Sequence, residues 1–253
     1  MTKIKRHHRH LVSLLCIFTA CLSAFAGEFN VKPMRLDVAH RAKSASVSIA
    51  NEGTDKLSFQ LRAMDWTQDK DGKDVYTDSI DLIFFPKLMT IESGQEALVR
   101  IGFKSPATST EKTYRLFIEE LPGVVKKIEG NSAQINVLVR FGLPIFAEPI
   151  LPQDILVVDG IEFKSRVLSF TAQNSGNRHQ MFASIRIAGT NGESKPIFGL
   201  DIADRYLLAS SSKSYKTVLS AQQCRELTSI TIDVKTDKVS QSRKIDVKPE
   251  MCL

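Results

Sequence analysis

Few side chains in this sequence could carry chemistry, and their spacing limits what that chemistry could be. Five histidines occur among 253 residues. His7, His8 and His10 crowd the first ten positions, so a general base or metal ligand further along must be His40 or His179. Both sit in polar, turn-like contexts. The chain has no G-x-S-x-G elbow, no H-E-x-x-H pair, no G-x-x-x-x-G-K-[ST] loop and no G-x-G-x-x-G turn. Glu119 and Glu120 cannot flank one bond as paired acid and base, because successive strand residues point to opposite faces. The acidic run from Gln68 to Asp74 resembles part of a calcium loop, but Thr67 stands at the first ligand position and Lys73 among the later ones. It reads as a solvated hairpin tip. The sequence therefore argues against an enzyme and implies no metal or cofactor.

Charge and cysteines give the next constraint. Lys3, Lys5, Arg6 and Arg9 precede an apolar run from Leu11 to Phe25, which ends in Ala24-Phe25-Ala26. A basic start, a short apolar core and a small-x-small site read as a cleavable secretory signal over residues 1–26. Stable membrane insertion is not expected, since a spanning helix needs about 20 apolar residues. A lipoprotein-type signal before Cys21 is the alternative. The cut removes four of the 34 basic residues and none of the 28 acidic ones, so the formal charge falls from +6 to +2. The case for nucleic acid goes with it. Cys16 and Cys21 are removed as well. In an exported protein the remaining pair, Cys224 and Cys252, is expected to form a disulfide worth roughly 3–4 kcal/mol. Two free thiols are the alternative.

The elements that must position these side chains are strands. Composition is that of an ordinary globular protein, with 43% apolar, 25% charged and 8% aromatic residues. Apolar residues alternate in short runs: Val47 and Ile49 with Ser46 and Ser48, then Leu57, Phe59, Leu61 and Ala63 with Ser58, Gln60 and Arg62. Turn residues follow at Asn51-Glu52-Gly53, Ser93-Gly94 and Pro122-Gly123. Gln134–Phe146 is the longest strand-like stretch, and two prolines in Glu148-Pro149-Ile150-Leu151-Pro152 then read as a stiff linker. The second half repeats the style, with turns at Asn174-Ser175-Gly176-Asn177 and Asn191-Gly192. The fold class expected is all-β: two immunoglobulin-like β-sandwiches, residues 27–147 and 148–253, joined by a short proline-containing linker.

An ordered set of motifs then stands out. It comprises Phe84-Phe85-Pro86-Lys87, Ser93-Gly94-Gln95, Val99-Arg100-Ile101, Tyr114-Arg115-Leu116-Phe117 with Glu119-Glu120-Leu121-Pro122, and Val137-Leu138-Val139-Arg140-Phe141-Gly142-Leu143-Pro144-Ile145-Phe146 before Pro149. In this order and after a signal peptide, the set resembles the PapD-like periplasmic chaperones of the chaperone-usher pathway. The short Pro122–Gln134 connection is more similar to the archaic, Csu-like branch. The resemblance implies that the last long strand of the first domain completes an unfinished pilin by donor-strand complementation, an edge-strand addition. The pilin then passes to an outer-membrane usher. Ile135, Val137, Val139 and Phe141 share one face of that strand and would fill the pilin groove. Burying them is worth roughly 1.5–3 kcal/mol each before association costs. The alternative is that they fill the chaperone's own core.

The resemblance also implies basic residues that hold the pilin's C-terminal carboxylate. Arg35 stands where the family's first-strand arginine is expected. The lysine usual late in the donor strand is absent, so Arg115 or Arg140 would supply the second cation. An arginine fork suits a carboxylate because it binds it bidentately. Without pilin, an exposed apolar strand invites self-association. The competing reading is an exported two-domain adhesin or carbohydrate-binding protein, for which Trp66 is the only tryptophan available.

Overall fold

The computed structural model describes residues 28–123 and 137–253; the expected signal peptide and Ile135 lie outside them. In the first half the strands are β1 (Phe29–Lys32), β2 (Leu36–Val38), β3 (Ser44–Asn51), β4 (Leu57–Gln68), β5 (Asp74–Asp78), β6 (Leu82–Phe85), β7 (Leu88–Ile91), β8 (Glu96–Phe103), β9 (Lys112–Leu121) and β10 (Arg140–Ala147). They make a four-stranded sheet in the order β1-β3-β8-β6 and a six-stranded sheet in the order β2-β10-β9-β4-β5, with β7 beside β4. Alternation decides which face is inside. Val47 and Ile49 from one sheet meet Phe59, Leu61, Leu116 and Ile118 from the other in a closed core.

The second half adds β11 (Leu156–Lys164), β12 (Val167–Asn174), β13 (Gln180–Thr190), β14 (Pro196–Ile202), β15 (Tyr206–Leu207), β16 (Ser212–Val218), β17 (Ser229–Thr236) and β18 (Ser240–Asp246). A sheet ordered β11-β12-β16 faces one ordered β14-β13-β17-β18, with β15 on β13. Leu168, Phe170, Ile185, Ile187, Ile230 and Ile232 fill the space between them. Two immunoglobulin-like sandwiches thus follow one another. A short helix, α1 (Ala221–Glu226), starts at a capping box between Ser220 and Gln223. It carries Cys224, which is joined to Cys252 in the C-terminal 3₁₀ turn; their Cα atoms are 5.8 Å apart.

One turn device occurs twice. Asn51, at the end of β3, donates from its amide to the carbonyls of Asp55 and Ile91 and accepts from Gly53 N–H. Asn174, at the end of β12, donates to Arg178 and Leu207 and accepts from Gly176 N–H. Each buried asparagine thereby satisfies backbone groups where a strand leaves its sheet.

The strand expected over Gln134–Phe146 is shorter among the described residues, where β10 begins at Arg140 and the longest strand is β4. Its partner explains this. Arg140 pairs with Glu119, so the ladder reaches Pro122 within three more residues, and proline has no N–H to give. A last bond runs from Glu120 N–H to Val139 O, 3.0 Å.

The sandwiches meet along the outward face of β4 and β10. Trp66, Phe146, Tyr206 and Leu208 form a small core of their own. Gln68 donates to Tyr206 O at 2.9 Å and accepts from Leu208 N–H at 3.0 Å. Asn177 donates to Ser109 O and, in the linker, to Leu151 O.

Candidate functional site

Along β10 and the residues before it, one face changes character. Val137 is 58% exposed, Val139 and Phe141 are half-buried, and Leu143 and Ile145 are fully buried. All five share the odd-numbered face of the extended chain. The face that is the sandwich's own core at its C-terminal end therefore projects beyond the sandwich at Val137. Phe141 already packs against the core. On the opposite face Leu138 is exposed too. Apolar side chains left in water at a strand end offer a partner surface to bury.

The even-numbered face looks into the angle between the sandwiches. It carries Arg140, Gly142, Pro144 and Phe146, and the pairing sets Gly142 against Phe117 and Pro144 against Arg115. On the other side β2 runs parallel to β10, with Leu36 level with Ile145. Arg35, one residue earlier, is therefore level with Pro144. Arg35, in the bend that leads into β2, Pro144 and Arg115 make one row, their two arginine Cα atoms roughly 10 Å apart at about 4.8 Å per strand spacing. Proline between them adds no long side chain to block the space above.

Arg115 is held from several sides. Its Nη1 donates to Gly142 O at 3.0 Å, and its Cζ lies 3.9 Å from the centre of the Trp66 ring and 5.7 Å from that of Tyr206. Tryptophan is the strongest of the aromatic cation acceptors. The Nε of Arg115 is buried and has no hydrogen-bond partner. Burial pushes the Tyr76 hydroxyl above its ordinary value, against the pull of Arg115 beside it. Gly142 makes room here, since a Cβ at that position would stand 3.0 Å from Phe117 Cε1.

Arg35 donates from Nε to Asp37 Oδ2 at 2.8 Å, and its Nη1 lies 3.9 Å from Met181 Sδ in the second sandwich. Arg140 lies away from this row, about 13 Å along β10 at 3.3 Å per residue. It bonds Glu119 at 2.8 Å and stacks on Phe117 at 3.9 Å. The structure brings together Arg35 and Arg115, and not Arg140. The sequence reading missed Trp66, Met181 and Tyr206 as parts of the site. Two of these belong to the second sandwich, and no short-range signal links them to β9.

The imidazoles take other positions. His179 is buried with Nδ1 2.9 Å from Glu111 Oε2 and its ring stacked 3.5 Å from Phe146, so it serves the joint. Its backbone N–H also donates to Glu111 Oε2. His40 is exposed on the turn after β2. Asp69 spends its carboxylate on the backbone N–H groups of Asp71 and Lys73 in the hairpin tip.

With this geometry in view, comparison with known proteins gives the family. Residues 28–152 match the PapD N-terminal domain of pili and flagellar-assembly chaperones. The chain belongs to the PapD-like pilus chaperones. These are non-enzymatic, and so is this protein. No curated protein matches it in sequence. Among solved structures it is similar to a chain of the CsuC–CsuE chaperone-tip adhesion subunit pre-assembly complex of Acinetobacter baumannii, at 16% identity and a TM-score of 0.53, over 74% of this chain and 89% of that one. The Salmonella enterica SafA pilin–SafB chaperone complex gives 16% identity and 0.57 over 88% and 98%. The Pseudomonas aeruginosa CupB2 chaperone gives 15% and 0.55 over 87% and 100%. At such identities the likeness is one of fold.

Proposed function

We propose that this chaperone works in the periplasm, where it captures an incomplete pilin on Ile135, Val137, Val139 and Phe141, fixes the pilin's C-terminal carboxylate between Arg35 and Arg115, and delivers it to an outer-membrane usher. Residues 27–147 are the capturing domain and 148–253 the second wall of the cleft. The observation that carries this reading is the row Arg35–Pro144–Arg115, set in the angle between the sandwiches and beside the strand whose apolar face emerges at Val137. Two guanidinium groups over one gap suit a carboxylate, each able to donate two parallel N–H bonds. Once the carboxylate is fixed, the pilin's register along β10 is fixed as well, because strand pairing admits no one-residue slip without turning every side chain over. The short connection after Pro122 favours the archaic, Csu-like branch. No nucleotide is needed if handover exchanges one strand for a better-fitting one. The adhesin alternative loses its tryptophan, since Trp66 is 1% exposed and covered by the second sandwich.

The test is recovery of the tagged protein from its host's periplasm, with co-purifying chains identified by mass spectrometry. The parent is expected to retain a small pilin subunit, and Val137→Asp and Arg115→Ala to lose it while remaining folded. A folded parent that brings down no such subunit while pilin is expressed overturns the reading.

A further inference from the structure

We infer that Asp37 is a resident carboxylate that occupies Arg35 until an incoming carboxylate displaces it, and that it thereby sets how strongly the cleft favours an acid terminus. The inference rests on the anchor reading above and adds a residue which that reading does not require. Arg35 and Asp37 flank Leu36, whose side chain enters the core, so the two charged side chains share the cleft face. Nε of Arg35 donates to Asp37 Oδ2 at 2.8 Å. The other contact of its guanidinium is a thioether sulfur, a weak acceptor. Arg115 differs, for its partners are a carbonyl oxygen, the Tyr76 hydroxyl and two aromatic rings, with no carboxylate among the described residues. One anchoring arginine is thus open and the other is taken.

Two features make Asp37 displaceable. Its side chain and that of Arg35 are 37% and 34% exposed, so water screens the pair and little is lost on exchange. Only one oxygen of Asp37 is engaged: Oδ2 accepts from Arg35, while Oδ1 makes no hydrogen bond among the described residues and stands 4.0 Å from His179 Nε2. Rotation of this half-exposed side chain towards water leaves the Nε edge of Arg35 to the ligand. An anion that can form only one hydrogen bond gains nothing over Asp37; a carboxylate bridging Arg35 and Arg115 does.

The experiment titrates parent, Asp37→Asn and Asp37→Glu with a synthetic peptide of alternating valine and serine ending in a free α-carboxylate, and with the same peptide amidated. Binding is read by calorimetry, and folding by thermal melting. The parent is expected to prefer the acid. Asp37→Asn should bind the acid about two- to fivefold more tightly, the exchange value of an exposed ion pair, with no change for the amide. Asp37→Glu should keep the parent's preference. Acid affinity that is unchanged or weaker in Asp37→Asn, in a background where the parent still prefers the acid, overturns this inference alone. A parent that binds acid and amide equally overturns the anchor reading, and this inference with it.

Discussion

At Gly142 a single absent methyl group shapes the cleft. Phe117 lies where a Cβ would be crowded, and the Phe117 ring in turn carries the guanidinium of Arg140, while the Gly142 carbonyl holds Arg115. Gly142→Val should therefore push the ring aside, cost about 1–3 kcal/mol by overpacking and weaken pilin capture. Urea denaturation and pull-down of the subunit check both halves of that expectation. Asp81 is the other residue whose surroundings make a sharp prediction. Burial alone raises its carboxyl, but the Tyr114 hydroxyl at 2.6 Å, the Ser105 N–H at 2.7 Å and Lys112 at 3.1 Å hold it well below the usual carboxylate range. A group whose folded value is depressed stabilises the fold above its unfolded value, near pH 4, and that stability is lost as pH falls towards the folded value. Asp81→Asn should accordingly cost about 1–3 kcal/mol at pH 7, and the gap from the parent should narrow at pH 3. A gap of equal size at both pH values would count against the assignment.

Among the elements, β10 and its approach divide binding from stability along one face. Val137→Asp should leave the melting temperature nearly unchanged, because that side chain is 58% exposed, whereas Leu143→Ala should cost about 2–5 kcal/mol from the fully buried end. Chemical denaturation of both variants, beside subunit recovery, separates the two roles. How far these elements could be read from the sequence depends on burial. β3, β4, β8 and β9 bury one face each, so their alternation shows in the residues. β5 is almost wholly exposed and reads as part of a polar hairpin, and the mixed exposure of β14 leaves it without a period. α1 is too short to display a helical repeat, though its capping box stands in the sequence as Ser220-x-x-Gln223. The candidate site divides in the same way. Arg115 is marked by its place in a recognisable strand and Arg35 by the family resemblance, although Arg35 lies in the bend before β2; Trp66 and Tyr206 become neighbours only when two sandwiches dock.

Across the whole molecule, the joint decides what the cleft can do, since it sets where the second sandwich stands relative to the arginine row. Gln68 is placed at its centre, using both ends of one amide on Tyr206 O and Leu208 N–H. Gln68→Ala leaves both groups without that partner and should cost about 1–3 kcal/mol. It should also weaken capture although Gln68 is absent from the arginine row, which equilibrium denaturation and subunit recovery together would show. The twin asparagine turns at Asn51 and Asn174 hold backbone within their own sandwiches, and the joint is a separate cluster between the two. Trp66 is the chain's single tryptophan, and it sits inside that joint with the Arg115 guanidinium 3.9 Å above its ring. The protein therefore carries a built-in optical probe at the one place where its two halves and its proposed ligand meet. Its intrinsic fluorescence reports docking of the halves, and any ligand that draws the cation off the indole will register as a spectral change without a label.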